Sequence, residues 1–457
     1  MSLSHLTLKS ALFLKSRASA IVLLLLRACY LMLPFGLLRL NMTGVSEMSV
    51  KIIKSPIDIK EFDASYAEGQ PVVSLPAECF TSEEFFKFEM NAVWGHEWFC
   101  IGRATDIPKA GDYYTIQVGD DPLIVIRDRS GSVNVLSNVC QHRGMILIEG
   151  SGNTRRLRCP LHAWVYNTAG ELVSAPGLTD KEDEQFDVKE VCLPKIRTDL
   201  WEGFIFITFD ENLPPLTERL TNLGDQLKNY NMAELRSETP LTMEKFDWNW
   251  KIFNDECYHC SFLHANSWGD MYPLPQCNVD EMVKFNDVDK GLVSYNLISQ
   301  HIDAAPTRTG SVLQPAIETL TEEERSQLSY ITVAPNLLIV AMPDKVKYFL
   351  WLPAGAQESW YGVSWMYPES TLAREDYKEK FDMEHEDLAP VMVEDLYAWR
   401  GVQQGYRSQF ATRGRLTSDE LVIQRLQNWL IDKYRAEDNR AKEIATDKEA
   451  PSLANVS

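Results

Sequence analysis

Two cysteine–histidine pairs, Cys140-Gln-His142 and Cys159-Pro-Leu-His162, stand sixteen residues apart, and no other stretch limits the fold of this chain so strongly. Two thiolates and two imidazoles brought to one point make a soft or borderline metal site, with zinc and a [2Fe–2S] centre as candidates. Zinc-finger sites group their cysteines together and their histidines together, whereas each pair here holds one of each. That interleaving fits a cluster in which Cys140 and Cys159 hold one iron and His142 and His162 the other. Four unrelated residues in this order are a poor alternative.

The 457 residues are enough for two domains, and 45% hydrophobic with 24% charged residues is ordinary for a globular chain. With 45 basic and 65 acidic residues the formal charge is −20, which argues against nucleic acid as a partner. Nine cysteines, an odd number scattered along a long chain, predict a reducing, cytoplasmic setting rather than a disulfide scaffold.

Residues 1–47 differ from the rest of the chain. They carry Lys9, Lys15, Arg17, Arg27 and Arg39 against Glu47, around an apolar run from Ala18 to Leu38 that Arg27 interrupts. A membrane helix with a central Arg is costly, and a signal or transit segment lacks a clear cleavage site here. A start at Met42 or Met48 is the reading we favour, with membrane or organelle targeting left open.

Irregular sequence over 48–75 leads into a capping signal at Thr81-Ser-Glu-Glu and a helical run to Trp98; 48–96 thus reads as an arm and a helix. Short strand-like runs come next, with Gly and Asp turns: Tyr113–Val118, Pro122–Arg127, Val133–Val135, Leu157–Cys159, Ala163–Tyr166 and Gly203–Phe209. This predicts a small all-β domain over 97–210 with both ligand pairs on its loops. The polar, Pro-rich Asp210–Pro215 marks a boundary, and 211–440 mixes helices with strands. Val283–Ile298, Leu328–Ala341, Lys347–Pro353 and Trp360–Tyr367 read as an antiparallel sheet, Leu388 to about Tyr434 as amphipathic helix, and 441–457 as a flexible tail.

A second constellation lies at Glu256-Cys-Tyr258-His259 and His264. Glu256 and His259 are three apart and share a helix face; His264 is five further on, so the helix must end or distort if both imidazoles reach one metal. Two imidazoles and a carboxylate with open positions opposite make a non-haem Fe(II) site. For the carboxylate, Met392, Asp395, Trp399, Val402 and Tyr406 form one helical stripe in which Asp395 is the single charge. A core-facing carboxylate must be coordinated, paired or protonated; Glu394 falls off the stripe. Cys257 and Cys260 read as small buried residues rather than a second metal motif.

Together these residues resemble the terminal oxygenase (α-type) subunits of Rieske non-haem iron oxygenases, over roughly Ser82 to Lys433. The resemblance rests on Cys140-x-His142-x16-Cys159-x2-His162 with Arg143-Gly144, Pro160 and Trp164, on Asn249-Trp250-Lys251, on Glu256-x-Tyr258-His259-x4-His264, and on Glu394-Asp395 with Gln403-Gln404-Gly405. It implies an α+β fold: an all-β Rieske [2Fe–2S] domain joined to a catalytic domain of antiparallel sheet covered by helices (helix-grip, START-like). It further implies a [2Fe–2S] cluster on Cys140, His142, Cys159 and His162, and a mononuclear Fe(II) on His259, His264 and Asp395. Glu256 would bridge to the cluster ligand His162 of a neighbouring subunit in a ring-shaped homotrimer, with Tyr258 and Asn254 beside the site and, in some members, an added β-subunit. Between Trp250 and Glu256 the chain is about one helical turn shorter than the usual family pattern.

The implied activity is oxygenation by O₂, with NAD(P)H electrons delivered through a separate reductase or ferredoxin. Glutamate at the bridging position looks like the branch that hydroxylates or demethylates quaternary amines and betaines, and Trp268, Tyr272, Trp360 or Trp365 could supply a cation–π cage. Aromatic-ring dioxygenation is the alternative substrate reading. A Rieske electron carrier without catalytic iron is the alternative class.

Overall fold

The protein is described by a computed structural model covering residues 53–66, 72–178, 187–257, 293–299, 301–305, 307, 309–416 and 420–449. Among these residues no helix is long and apolar enough to cross a membrane.

Ten strands lie between Phe99 and Thr208: β1 Phe99–Arg103, β2 Asp112–Val118, β3 Asp121–Arg127, β4 Val133–Ser137, β5 Ser151–Asn153, β6 Leu157–Arg158, β7 Val165–Tyr166, β8 Leu172–Ser174, β9 Lys195–Trp201 and β10 Phe204–Thr208. Seven form an antiparallel sheet in the order β1-β10-β9-β4-β3-β2-β5, and β6-β7-β8 form a small second sheet. The turns are where sequence dictates them. Glu202 and Gly203, with φ of 49° and 80°, join Trp201 to its partner Phe204; two residues at positive φ are what a right-twisted hairpin needs. The Glu202 carbonyl of that turn accepts from the buried Arg103 guanidinium at 2.9 Å.

The second half holds β11 Glu244–Phe246, β12 Val293–Ser299, β13 Gln327–Val333, β14 Leu337–Ala341, β15 Val346–Gly355 and β16 Glu358–Met366, ordered β11-β16-β15-β14-β13-β12, all antiparallel. The run expected as one strand over Leu328–Ala341 is a hairpin, β13 with β14, because Pro335 and Asn336 interrupt it. Three helices matter for the site: α1 Glu83–Glu89, α2 Tyr377–Tyr406 and α3 Leu421–Glu449. Ser82 caps α1 by accepting from the Phe85 N–H at 3.2 Å. The single helix expected from Leu388 to Tyr434 is two, α2 and α3. The chain between them pairs with the N-terminal arm, Leu416 N–H donating to the Val72 carbonyl at 2.9 Å and Ser74 N–H to that of Gly414 at 2.8 Å. The chain from 441, expected as tail, continues α3 to Glu449.

Long-range charge pairs fasten α3 to the rest. Glu97 is wholly buried between Arg219 (2.7 and 3.3 Å) and Lys433 (2.6 Å). Burial alone would raise its pKa, but Lys433 and Arg219 outweigh it and hold the carboxyl below its usual range. A lowered folded pKa contributes stability that is present above the unfolded value and is lost as pH falls through the folded one. Glu97→Gln therefore lowers unfolding free energy by about 3 kcal/mol at pH 7, the usual cost of stranding a buried cation. In denaturant titrations the gap from wild type narrows below about pH 4, where the native carboxyl also protonates.

Candidate metal centres

The loops after β4 and β6 are built to one pattern. In the first, Cys140 N–H donates to the Met145 carbonyl (2.9 Å) and Gly144 N–H returns to the Cys140 carbonyl (3.0 Å). In the second, Cys159 N–H donates to the Trp164 carbonyl (2.7 Å) and Ala163 N–H returns to the Cys159 carbonyl (3.1 Å). Each loop thus wraps around its cysteine, with a left-handed residue four places on: Gly144 at φ 73° and Ala163 at φ 60°. Alanine at positive φ is strained and persists only where the surroundings fix it. The sequence placed both ligand pairs on loops, but nothing in it foretold a left-handed alanine at the second turn.

The result sorts the ligands by depth. Cys140 and Cys159 are buried free thiols, 2% exposed, whereas His142 and His162 lie at the surface. The two imidazoles meet with ring centroids 4.6 Å apart, and His142 stacks on Trp164 at 4.8 Å. The Tyr166 hydroxyl lies 3.4 Å from the Cys140 sulfur and accepts from the Gln141 N–H at 3.0 Å. Burial, then the Cys140 contact, push the Tyr166 phenol up, so it keeps its proton beside the sulfur. Burial, then the charges of His162 and Arg143, push His142 down toward the neutral form that ligation requires. Among the described residues no three His, Cys, Asp or Glu side chains converge on one metal ion. Buried sulfur and exposed imidazole nitrogen, two of each, fit a two-iron cluster.

For the second centre, Asp395 is described and is 2% exposed on α2, while the neighbouring Glu394 is partly exposed. The buried face of α2 is Leu388, Val391, Asp395, Trp399 and Gln403. It differs from the expected stripe at three places: Val402 is 37% exposed where Gln403 is buried, and Met392 and Tyr406 are only partly buried. Glu384 and Asp387 are also buried further back on α2, so Asp395 is not the helix's single inward charge. One turn past Asp395, Trp399 packs on Phe253 (5.0 Å) and Tyr361 (5.7 Å), and those two rings stack at 4.4 Å. A buried carboxylate beside an aromatic wall suits a metal ligand in a dry cavity.

The segment entering the site begins at Asn249-Trp250-Lys251 and continues as a 3₁₀ helix, Trp250–Cys257, whose backbone includes Asn254 and Glu256. A 3₁₀ helix rises about 2.0 Å per residue against 1.5 Å in an α-helix, so eight residues gain roughly 4 Å of reach. Tyr258, His259 and His264 lie outside the described residues, as do Trp268 and Tyr272. Sequence reasoning missed the anchor of this segment. The Lys251 ammonium, 3% exposed, is 2.7 Å from Glu89 and lies over the rings of Phe80 (5.1 Å), Trp250 (5.2 Å) and Phe85 (5.9 Å). Glu89 also accepts from Trp250 Nε1 at 2.8 Å and from the Tyr434 hydroxyl.

Trp360 and Trp365 do not form one cage. They are five apart on β16, on opposite faces of the sheet. Trp360 lines a cleft of about 1160 Å³ against Tyr114 and Leu241, and Trp365 a pocket of about 380 Å³ with Phe246, Tyr361, Phe381, Met392 and Leu396. Lys347 already sets its ammonium 5.4 Å over the Trp365 ring.

Residues 97–191 match the Rieske [2Fe-2S] domain, and residues 230–436 the catalytic domain of the ring hydroxylating alpha subunit. The glycine betaine monooxygenase oxygenase subunit of Chromohalobacter salexigens is 33% identical over 197 residues, 42% of this chain and 43% of that protein. The carnitine monooxygenase oxygenase subunit of Acinetobacter pittii is 30% identical over 203 residues, 42% of this chain and 52% of that one. The matches thus span about half the length of these relatives. The structure of the quaternary ammonium Rieske monooxygenase CntA with L-carnitine superposes with a TM-score of 0.61 at 20% identity, covering 80% of this chain and 95% of that one. Naphthalene 1,2-dioxygenase from Rhodococcus sp. bound to indole gives 0.65 at 20% identity, over 80% and 95%.

The strained second loop yields a prediction. Ala163→Gly removes a left-handed alanine worth about 1–2 kcal/mol of strain and keeps the cluster. Ala163→Val sets a β-branched residue at positive φ and abolishes cluster assembly, read as loss of visible absorbance in freshly purified protein.

Proposed function

The chain carries a Rieske [2Fe–2S] domain followed by the catalytic domain of ring hydroxylating alpha subunits, and from that premise we propose that it is the terminal oxygenase component of a Rieske-type oxygenase. The observation that carries this reading is the pairing of two unlike donor sets in one chain. One is the looped Cys140/His142/Cys159/His162 group, with its sulfurs buried and its imidazoles at the surface; the other is a carboxylate, Asp395, buried on α2. The enzyme uses O₂ and electrons from NAD(P)H, passed through a separate reductase, to hydroxylate or oxidatively demethylate a small organic substrate.

When bound, the cluster supplies single electrons and the mononuclear iron activates O₂. The chain's own residues do the rest. The two loops leave the imidazole edge of His142 and His162 facing outward, where an electron can enter or leave. The Tyr166 hydroxyl, 3.4 Å from the Cys140 sulfur, tunes the potential from the buried side. His259, His264 and Asp395 are the proposed iron ligands, and Phe253, Tyr361 and Trp399 exclude water beside Asp395. Glu256 is proposed to meet His162 of a second copy in a homotrimer. A quaternary amine is the favoured substrate: two relatives are oxygenase subunits of glycine betaine and carnitine monooxygenases, and the pocket beside α2 combines aromatic walls with Glu238.

Iron analysis tests the two-centre reading. About three Fe per chain are expected, and about two for an electron carrier without catalytic iron. Asp395→Ala keeps the cluster spectrum, loses about one Fe per chain and stops turnover; retained turnover removes Asp395 from the site. Substrate-dependent NADH and O₂ consumption with a generic reductase rises with glycine betaine, carnitine or choline. A rise confined to aromatic acids assigns the chain to ring dioxygenation instead.

A further inference from the structure

Two separate elements must converge on one point if the mononuclear site is to form: α2, which carries Asp395, and the segment opened by the 3₁₀ helix Trp250–Cys257. A buried side chain on α2 hydrogen-bonds across to that segment, beside the packing of Trp399 on Phe253. Gln403, 1% exposed, accepts from the backbone N–H of Asn249 at 2.8 Å through its amide oxygen. Its amide nitrogen donates to the Phe80 carbonyl at 3.2 Å and lies 3.4 Å from Gln357 Oε1. Asn249, also 1% exposed, is held on its other side, donating to the Ala356 carbonyl at 2.6 Å and accepting from the Lys251 N–H at 3.0 Å.

The chemistry explains why an amide stands here on the buried face. The first N–H groups of a helix have no partner within the helix, and a buried one must find an acceptor elsewhere. Gln403 supplies that acceptor and at the same time satisfies the Phe80 carbonyl. It lies eight residues beyond Asp395 on the same buried face, about 12 Å along the α2 axis. A slide or rotation of α2 that moved Asp395 would break both bonds at Gln403. Lys251, two residues past Asn249, is locked in turn to Glu89 and its aromatic cage, so the 3₁₀ helix cannot follow a displaced α2.

We propose that Gln403 is a positioning residue for the mononuclear iron: it fixes the register of α2 against Asn249, and so sets where Asp395 stands relative to the segment that Asn249 opens. This rests on the proposal that His259, His264 and Asp395 hold a mononuclear iron. Gln403 touches neither iron nor substrate, and its effect is on affinity for the metal.

The test compares wild type, Gln403→Glu and Gln403→Met, each loaded anaerobically with Fe(II), with iron read against the cluster absorbance of the same sample. Gln403→Met is close in shape but cannot accept from Asn249 N–H; Gln403→Glu keeps that acceptor. The expected result is full cluster content in all three proteins. Fe(II) affinity at the mononuclear site falls at least tenfold in Gln403→Met and less in Gln403→Glu. Wild-type Fe(II) affinity in Gln403→Met overturns the inference. So does loss of cluster and mononuclear iron in proportion, which makes Gln403 a general fold element. A wild-type protein that binds no third iron overturns the mononuclear-site reading itself.

Discussion

The buried ammonium of Lys251 is the point on which the catalytic half depends. Glu89 of α1 balances its charge, three aromatic rings surround it, and the same carboxylate ties down Trp250 and Tyr434. An ion pair this dry is stable only with both partners present and their hydrogen bonds met. It therefore sets the geometry of the elements attached to it. Those are the opening of the 3₁₀ helix, the C-terminal helix α3 and, through Asn249 and Gln403, the helix that carries Asp395. The N-terminal helix and the far C-terminal helix thus frame a site to which neither contributes a proposed ligand.

The Rieske half solves a different problem with backbone alone. Two loops of unlike sequence fold to one hydrogen-bond pattern, each closing on its cysteine and turning at a left-handed residue. Buried thiols and exposed imidazoles result from that pattern. The two halves divide the work: one presents a redox edge at the surface, the other excludes water around a carboxylate.

Much of this was legible in the sequence, and the exceptions share a cause. The ligand pairs, the strand runs of the β domain and the antiparallel sheet are local patterns, fixed by spacing, alternation and turn residues. Asp395 was singled out because it is the one charge in the row Met392, Asp395, Trp399, Val402 and Tyr406, and the structure buries it. The pairs that hold the frame, Glu89 with Lys251 and Glu97 with Arg219 and Lys433, join residues more than a hundred positions apart. No periodicity links such partners. Ala163 was invisible because alanine seldom adopts a left-handed backbone. Gln403 was passed over for Val402 because helical periodicity weighs apolarity and cannot see that a buried amide is needed by a backbone N–H elsewhere. The break between α2 and α3 was missed for a related reason: its backbone is satisfied by strand-like pairing with residues 72–74, outside any local window.

The central claim is that electrons held at Cys140, His142, Cys159 and His162 are spent at a second centre that includes Asp395, and only on a bound substrate. Single turnover measures this most directly. The cluster is reduced, the excess reductant removed, and the protein mixed with O₂ in the presence or absence of glycine betaine or carnitine while cluster absorbance is followed. The account predicts rapid cluster oxidation with product formed when a substrate is present, and slow oxidation without it. Oxidation at the same rate with and without every substrate tried, and no product, would contradict it.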